Sequence, residues 1–432
     1  MDLRPPGPAP ARVVVREGLP LGSNERSGAT QLPRGGAASS VVIARVALVG
    51  SALLLPLLVL ELGLRIFGPF LPGNYETGAY LVRHPLYGHY HPENFSGWIK
   101  TDEYAVPIRT NREGQRGPDI PTAKPPGVFR ILVLGDSFVE AVQVAENERF
   151  LARLDAILNS PGAPRRFELI DGSCSGWGTA QEYLYLQHEG PRYRPDLVLL
   201  VFFVGNDVQN NSLELELGGR ADLALKPYFA LTGAGSLQLL EPHPPELMWR
   251  ERLASLLRER STLYNVVESA VVEKLGLGDV HATWRDVDAL EEMRTARLDL
   301  YQPLMDDRWR EAWAITDALV GMLKDEASAQ DSRLALALAP THGQVSSQAW
   351  SAASGRYKGL DDSHPARMLA TTAARTSTPL LDLLPALRRQ DAKPDRPPLY
   401  FRRDLHWTSA GHAVVARSIA EFLRRERLIP PG

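Results

Sequence analysis

Ser137 ends a run of branched apolar residues, in the segment ILVLGDSF at positions 131–138. Such a run suits a fully buried parallel strand, and the change to Gly135 and Asp136 marks the point where that strand must turn. A serine at this place has two interpretations. It either caps a following helix, or it is a nucleophile that a nearby base activates.

The C-terminal segment DLHWTSAGH, residues 404–412, supplies a candidate base. A nucleophilic serine needs a neighbouring histidine, and that histidine needs an acceptor that fixes its tautomer. Asp404 and His406 are close enough in sequence for one short turn to present both side chains together. His412 is the alternative base, but a histidine one turn further on can simply pack under the last helix. We therefore favour His406.

Two other predicted strands also end on residues that could assist chemistry. FELIDGSCSGWG runs into a glycine-rich loop at Gly176, and LVLLVFFVGND ends on Asn206. Ligands of open parallel sheets bind beyond the carboxyl ends of the strands, so we expect both to lie near Ser137. Asn206 has an alternative interpretation as an ordinary turn residue, and we expect Gly178 to serve backbone conformation rather than to act as a donor.

The remaining pattern indicates the elements that must position these residues. Apolar runs at 128–137, 166–173, 195–205, 332–344 and 378–387 alternate with helical spacing. Strands that alternate with helices predict right-handed βαβ units and a mostly parallel five-stranded sheet covered on both faces. An insertion at about 211–305 interrupts the alternation with helical patterns, and we expect part of it to cap the site.

The N-terminal part of the sequence predicts a membrane anchor. Residues 1–40 are rich in Pro, Gly, Ala and Arg and predict a disordered tail. Residues 41–66 are mostly apolar, with no charge from Val46 to Leu60. Together with residues 41–44, this stretch reaches the roughly 20 residues that are needed to span a bilayer; a buried soluble helix is the alternative. Residues 67–127 predict a β-rich lead-in to a domain at 128–432.

The distribution of arginine predicts the orientation of this anchor. Arg65 stands nearly alone after the apolar segment, whereas the preceding tail contains Arg4, Arg12, Arg16, Arg26 and Arg34. By the positive-inside rule, the N-terminus is cytoplasmic and the following domain is periplasmic or extracellular.

Composition excludes several classes of function. The formal charge of −3 gives no reason to expect a nucleic-acid partner. Cys174 is the one cysteine, so an intrachain disulfide is impossible, and no Cys/His cluster has zinc-site spacing. We interpret His89 and His91 of HYH as part of a surface loop rather than half of a metal site. His342, at the exit of the fourth strand, is a candidate pocket residue.

Four segments, GDSF, SGWGT, GND and DLHWTSAGH, occur in this order and resemble the four sequence blocks of the SGNH (GDSL-type) hydrolases. The resemblance covers about residues 128–428, outside the helical insertion. The anchor followed by ELGLR, and the segment TNREGQRG, are similar to the membrane-anchored bacterial branch. This resemblance implies a three-layer α/β/α, flavodoxin-like fold and no metal or organic cofactor.

The resemblance also implies a role for each candidate residue. Ser137 would be the nucleophile, His406 the general base and Asp404 its orienting partner. The backbone N–H groups of Ser137 and Gly176 and the side-chain amide of Asn206 would form an oxyanion hole.

Two features depart from the commonest family pattern. The spacing is Asp-x-His rather than Asp-x-x-His, which resembles the anchored and O-acyl-transferring branches. The glycine often found shortly after the nucleophile is replaced by Glu140 and Ala141, which we expect to narrow or re-aim the pocket.

The expected function is a serine-dependent hydrolase of acetyl or other short-chain acyl esters at the cell envelope, acting through an acyl-serine. Its expected substrate is an acylated glycan or a small ester. The alternatives are an O-acyltransferase that modifies an envelope glycan, and an inactive binding module of an envelope assembly. Retention of every part of the triad disfavours the binding module.

Overall fold

The structure is a computed structural model that describes residues 36–70, 75–76, 79–163, 165–220, 224–233, 236–240, 249–275 and 298–431. The chain divides into two compact units, Met1–Leu58 and Val59–Gly432. Most of the predicted disordered tail, residues 1–35, lies outside the described residues.

A long apolar helix, α1 (Gly36–Phe67), contains the predicted anchor. It begins five residues before the predicted span. Its segment Val41–Phe67 has a mean hydropathy of 2.3 and is long and apolar enough to cross a membrane, and the window that meets this test is not buried by other residues. The prediction of an apolar spanning segment is therefore consistent with the helix.

The segment after this helix contains short antiparallel strands. β1 (Tyr75–Glu76), β4 (Ser96–Lys100) and β5 (Ala105–Arg109) form one sheet in the order β1-β4-β5, while β2 (Val82–His84) and β3 (Gly88–Tyr90) form a hairpin. Alternate residues of β5, Val106 and Ile108, are buried, which is the period-two pattern of a sheet with one covered face.

A parallel five-stranded sheet forms the centre of the hydrolase-like region. Its strands are β6 (Phe129–Gly135), β7 (Phe167–Ser173), β8 (Leu197–Phe203), β11 (Arg333–Ala339) and β12 (Leu380–Asp382), in the order β12-β11-β8-β6-β7. This is the flavodoxin-like order, and the predicted fold class is confirmed. The order reverses between β6 and β8, so a crevice opens at the carboxyl ends of these two strands.

Helices cover both faces of this sheet. In β6, Leu132 and Leu134 belong to one apolar cluster and Ile131 and Val133 to the other, which explains why the whole strand is apolar. The covering helices are α4 (Thr179–Tyr193) and α9 (Asp307–Ala329) on the first face, and α3 (Phe150–Leu158) and α14 (Ser409–Arg425) on the second.

The other helices are shorter or lie away from the sheet. They are α2 (Ser137–Glu140), α5 (Asp207–Asn210), α6 (Leu213–Leu217), α7 (Trp249–Arg260), α8 (Thr262–Leu275), α10 (His342–Val345), α11 (Ser347–Arg356), α12 (His364–Arg375) and α13 (Leu384–Asp391). Three 3₁₀ turns occupy Gly68–Phe70, Glu146–Glu148 and Asp299–Tyr301.

The insertion is not purely helical. Besides α6, α7 and α8 it contains an antiparallel hairpin of β9 (Tyr228–Leu231) and β10 (Leu237–Leu240). Each strand has only four residues, too few to give a clear alternating pattern in the sequence. The helix α9 that follows supplies the crossover into β11, and its residues Trp309 and Trp313 are buried in the core.

Candidate active site

The chain turns sharply between β6 and α2, and this turn presents Ser137. Asp136 is the N-cap of α2, because its Oδ1 accepts the Phe138 N–H at 2.9 Å. A side chain at Gly135 would collide with Val139 and approach the Val201 carbonyl oxygen to 3.1 Å, so this turn requires glycine. Ser137 is therefore not the cap. Its hydroxyl is available for another partner.

That partner is His406. Its Nε2 lies 2.7 Å from Ser137 Oγ, and its Nδ1 lies 2.7 Å from Asp404 Oδ1. Ser137 and His406 are buried, and Asp404 is only slightly exposed at its side chain. The structure thus brings the three predicted triad residues into one hydrogen-bonded chain, the arrangement in which a histidine can take the serine proton.

The Asp-x-His spacing works because of the residue between the two. Leu405 has a φ of 65°, in the left-handed region that few non-glycine residues adopt. The His406 N–H also donates to Asp404 Oδ1 at 3.3 Å, which closes a tight turn. Strained backbone at such a place costs about 1–3 kcal/mol and is typical of functional sites.

Electrostatics in the triad favour a charged histidine. Burial alone would lower the pKa of His406, but the Asp404 carboxylate and its hydrogen bond raise this pKa above the ordinary value of 6.5. For Asp404, burial would raise the pKa, but His406 and the Tyr104 hydroxyl lower it. Asp404 therefore stabilises the imidazolium that forms when His406 accepts a proton.

Two residues of the β4–β5 turn hold Asp404, and the sequence analysis did not identify them. The Tyr104 hydroxyl donates to Asp404 Oδ2 at 2.8 Å, leaving Oδ1 for His406. The Glu103 carboxylate accepts the backbone N–H groups of Arg402 and Asp404, both at 2.8 Å, and that of Arg403 at 3.0 Å. Both contacts join residues about 300 positions apart, so no local pattern could reveal them.

The predicted oxyanion residues follow neighbouring strands. In the sheet, Gly135 pairs with Ser173 of β7 and Val201 of β8, so the loops that follow these strands both begin beside the Ser137 turn. Gly176 has a φ of +77°, which explains the glycine. Asn206 is the N-cap residue of α5 and is partly buried. The Gly178 N–H donates to Gln181 Oε1 at 3.0 Å, so its role is structural, as expected.

Glu140 was expected to narrow or re-aim the pocket, but its carboxylate contacts a neighbouring loop. Its carboxylate accepts the Ser175 N–H at 2.7 Å and the Ser175 hydroxyl, and it pairs with His91 Nε2 at 2.7 Å. It therefore fixes the loop that contains Gly176. Ala141 adopts φ 54°, a left-handed conformation at the place where the family often has glycine.

The two histidines of HYH are not in a surface loop, and that interpretation was wrong. His91 is buried against Glu140, and burial would raise the pKa of this acid, but His91 lowers it to about 2. His89 Nε2 lies 2.7 Å from the Ser175 carbonyl oxygen. Both rings support the loop beside Ser137. Within the described part of the chain, no three His, Cys, Asp or Glu side chains are grouped to hold a metal ion.

Three buried carboxyl groups, those of Asp136, Glu182 and Asp207, have raised pKa values. Burial raises the pKa of Asp136 to about 6, and hydrogen bonds from the Phe138 N–H and the Asn206 amide offset only part of this effect. Burial and the charge of Asp136 raise the pKa of Glu182, and burial and the charge of Glu182 raise that of Asp207. Protonation of this group limits the negative charge next to Ser137.

The other candidates lie elsewhere. His412 lies in the first turn of α14, where its ring accepts the Phe150 N–H at 3.3 Å. Burial lowers its pKa well below the ordinary value. It therefore packs within the fold, as the alternative interpretation proposed. His342 packs edge-on against Tyr400. Burial raises the pKa of the Cys174 thiol, which keeps it unreactive. From the insertion, Lys226 Nζ reaches the Gly176 carbonyl oxygen at 3.5 Å.

Residues 304–431 match the family model of the SGNH hydrolase-like domain of acetyltransferase AlgX. This match includes Asp404 and His406, whereas Ser137 lies outside it. No curated protein matches the chain. Together with the parallel sheet and the four blocks, this match supports the resemblance of the region from Val128 onward to the SGNH hydrolase superfamily.

Several solved structures are similar to this chain, and two of the three named here are acetyl xylan esterases by their titles. TesA is 12% identical (TM-score 0.36), the acetyl xylan esterase AlAXEase 14% identical (0.37), and a catalytic mutant of an acetylxylan esterase from Geobacillus stearothermophilus 11% identical (0.36). The similarity covers 68% of this chain in each case, and 98%, 98% and 94% of the three structures. Identities and TM-scores in this range do not identify the substrate of this chain.

Proposed function

We propose that this protein is a serine-dependent hydrolase of acetyl or other short-chain acyl esters at the cell envelope. The observation that carries the proposal is the hydrogen-bonded chain from Ser137 through His406 to Asp404, with 2.7 Å at both contacts. An intact chain of this kind is not expected in a binding module, which has no use for an activated serine. Serine and histidine supply nucleophile and base, so the reaction requires no metal or organic cofactor.

The chemistry proceeds in two halves. Ser137 Oγ attacks the ester carbonyl while His406 Nε2 removes its proton, and the tetrahedral oxyanion is stabilised by the Ser137 and Gly176 N–H groups and the Asn206 amide. Collapse breaks the ester bond, and the alcohol leaves with the proton from His406. A water molecule, deprotonated by His406, then attacks the acyl-serine and releases the acid and free Ser137.

A second candidate is an O-acyltransferase, in which a glycan hydroxyl replaces water in the second half. Two observations favour it: the description of the matching family model as an acetyltransferase domain, and the Asp-x-His spacing at Asp404 and His406. In both cases the expected donor or substrate is an acylated glycan or a small ester.

We also propose that α1 anchors the protein by a single span, with the N-terminus cytoplasmic and the catalytic domain periplasmic or extracellular. The arginines that precede the span support this orientation. A reporter enzyme that is active only after export should be active when fused after residue 70. Activity of a cytoplasmic reporter at that place would reverse the orientation.

Turnover of p-nitrophenyl acetate by the full-length protein in detergent tests the activity. Ser137→Ala should abolish turnover, because the acyl-enzyme cannot form, whereas Ser160→Ala, at an exposed serine, should leave it unchanged. With a glycan acceptor added, faster transfer to the glycan than to water would assign the transferase. Equal turnover in the wild type and Ser137→Ala would contradict acyl-serine chemistry.

A further inference from the structure

Helices α7 and α8 expose large apolar side chains on regular faces. Trp249, Leu253 and Leu256 of α7, and Val267 and Val271 of α8, are between 45% and 71% exposed. The spacing i, i+4, i+7 in α7 and i, i+4 in α8 puts each set on one side of its helix. Soluble domains rarely expose such sets together. Where apolar patches of this kind are exposed, they usually mark an interaction surface.

The junction of these two helices is fixed to the end of α1. Glu61 accepts the backbone N–H groups of Thr262 at 2.9 Å and Leu263 at 2.8 Å, and the Ser261 hydroxyl at 2.9 Å. Arg65 donates to the Arg260 carbonyl oxygen at 2.6 Å and to Glu61 at 2.7 Å. A carboxylate is well suited to this place, because the first N–H groups of a helix have no partner within it and carry partial positive charge.

These contacts hold the junction between α7 and α8 at the level of the end of α1. Glu61 is the first acidic residue after the uncharged segment Val46–Leu60, and Arg65 follows one turn later. When the apolar part of α1 spans a bilayer, charged residues at its end lie at the level of the lipid headgroups. Ser261, held by Glu61, lies at the same level. The end of α7 and the start of α8 therefore both lie at the membrane surface.

We propose that α7 and α8 form a membrane-contact hairpin, whose exposed apolar side chains enter the headgroup–acyl boundary of the leaflet from which α1 emerges. The partner is the lipid bilayer itself. Helices that lie in the interface bury one apolar face there, and tryptophan prefers this region. The inference goes beyond ester chemistry, and it rests on the proposed anchor.

Single-cysteine reporters test the proposal in the full-length protein. Cys174 is the one cysteine and is buried, so an introduced cysteine can be labelled selectively with an environment-sensitive nitrobenzoxadiazole fluorophore. We would label Leu253→Cys and Val267→Cys in nanodiscs of phosphatidylethanolamine and phosphatidylglycerol that hold one copy each. Glu421→Cys, on an exposed position of α14, is the aqueous control, and Leu57→Cys reports the span itself.

The reporters at 253 and 267 should show blue-shifted emission and lose fluorescence when the lipids carry a doxyl quencher near the headgroup. The reporter at 421 should show neither change, and the reporter at 57, about 6 Å along the helix from Glu61, should be quenched by doxyl groups in the upper part of the acyl chains. Quenching at 57 without quenching at 253 and 267 would overturn the membrane-contact hairpin and leave the anchor intact. Absence of quenching at 57 would overturn both proposals.

Discussion

At the scale of single residues, the candidate site depends on the short distance between Asp404 and His406 along the chain. With one intervening residue, a tight turn must bring the carboxylate to the Nδ1 atom of the histidine. The left-handed Leu405 makes this possible, and Asp404 Oδ1 then lies 2.7 Å from Nδ1. The departure from the commoner Asp-x-x-His spacing is therefore compatible with a complete triad.

The pH dependence of ester hydrolysis tests this pairing. His406 acts as a base only when neutral, and Asp404 raises its pKa above 6.5. The value of kcat/KM should therefore be low in acid and rise with pH, with a midpoint above 6.5. In Asp404→Asn, burial and the weaker attraction of the Asp136 carboxylate remain, so the midpoint should fall below that of the wild type while the plateau falls by a factor on the order of 10⁴, as in serine proteases.

A pH–rate profile for each protein, with melting temperatures as a folding control, measures both effects. An unchanged midpoint in Asp404→Asn would show that Asp404 does not set the pKa of the working base. A wild-type midpoint below 6.5 would contradict the electrostatic account of His406 itself.

The residues that form the hydrogen-bonded chain could be predicted from sequence because each lies in a local motif. Ser137 follows a recognisable buried strand, and Asp404 and His406 share one short segment. Glu103, Tyr104 and the clamp between Glu140 and Ser175 could not be predicted in this way. Their partners are distant in sequence, and a tyrosine or glutamate in a turn resembles any exposed polar residue.

At the scale of elements, the β4–β5 turn supports the catalytic loop from outside the sheet. Glu103 collects three backbone N–H groups of residues 402–404, and Tyr104 orients the Asp404 carboxylate. The lead-in segment is thus more than a connection between anchor and hydrolase domain. Its turn is part of the structure that positions the acid of the triad.

Substitutions in this turn should lower turnover without unfolding the protein. In Tyr104→Phe and Glu103→Gln, Asp404 loses part of its support, and we expect kcat/KM to fall about tenfold, or about 1.4 kcal/mol of transition-state stabilisation. The effect should be on kcat, because neither side chain is placed to bind the substrate. Steady-state kinetics with p-nitrophenyl acetate measures it.

Asp102→Asn is the matched control in the same turn. Asp102 pairs with the side chain of Arg403 at 3.0 Å, but both side chains are more than half exposed, and such pairs contribute little. Its kinetics should match those of the wild type. Equal losses in all three variants would point to general loosening of the turn rather than to support of Asp404.

Prediction of the elements succeeded where the apolar pattern is long. Four of the five core strands have seven residues and follow from long apolar runs such as LVLLVFF, whereas β12 has only three residues. The alternation of strands with helices indicates their parallel pairing. The β9–β10 hairpin was missed because its strands are too short to show a period. The pairing of β1 with β4 depends on contacts that a local pattern does not specify.

At the scale of the whole molecule, an apolar helix precedes an SGNH hydrolase domain in one chain. The nucleophile follows β6 and Asn206 follows β8, the two strands between which the sheet order reverses. That reversal creates the crevice where parallel α/β sheets bind their ligands. The order of strands along the chain thus explains why residues far apart in sequence meet at one edge.

Reaction with a fluorophosphonate probe tests the central claim most directly, because its tetrahedral adduct resembles the transition state of acyl transfer. We predict that the full-length protein takes up one label per chain, located by peptide mass spectrometry on Ser137. Labelling should disappear in Ser137→Ala, weaken greatly in His406→Ala and persist in Ser160→Ala. A folded protein that takes no label, or takes it on another residue, would contradict the assignment of Ser137 as an activated nucleophile.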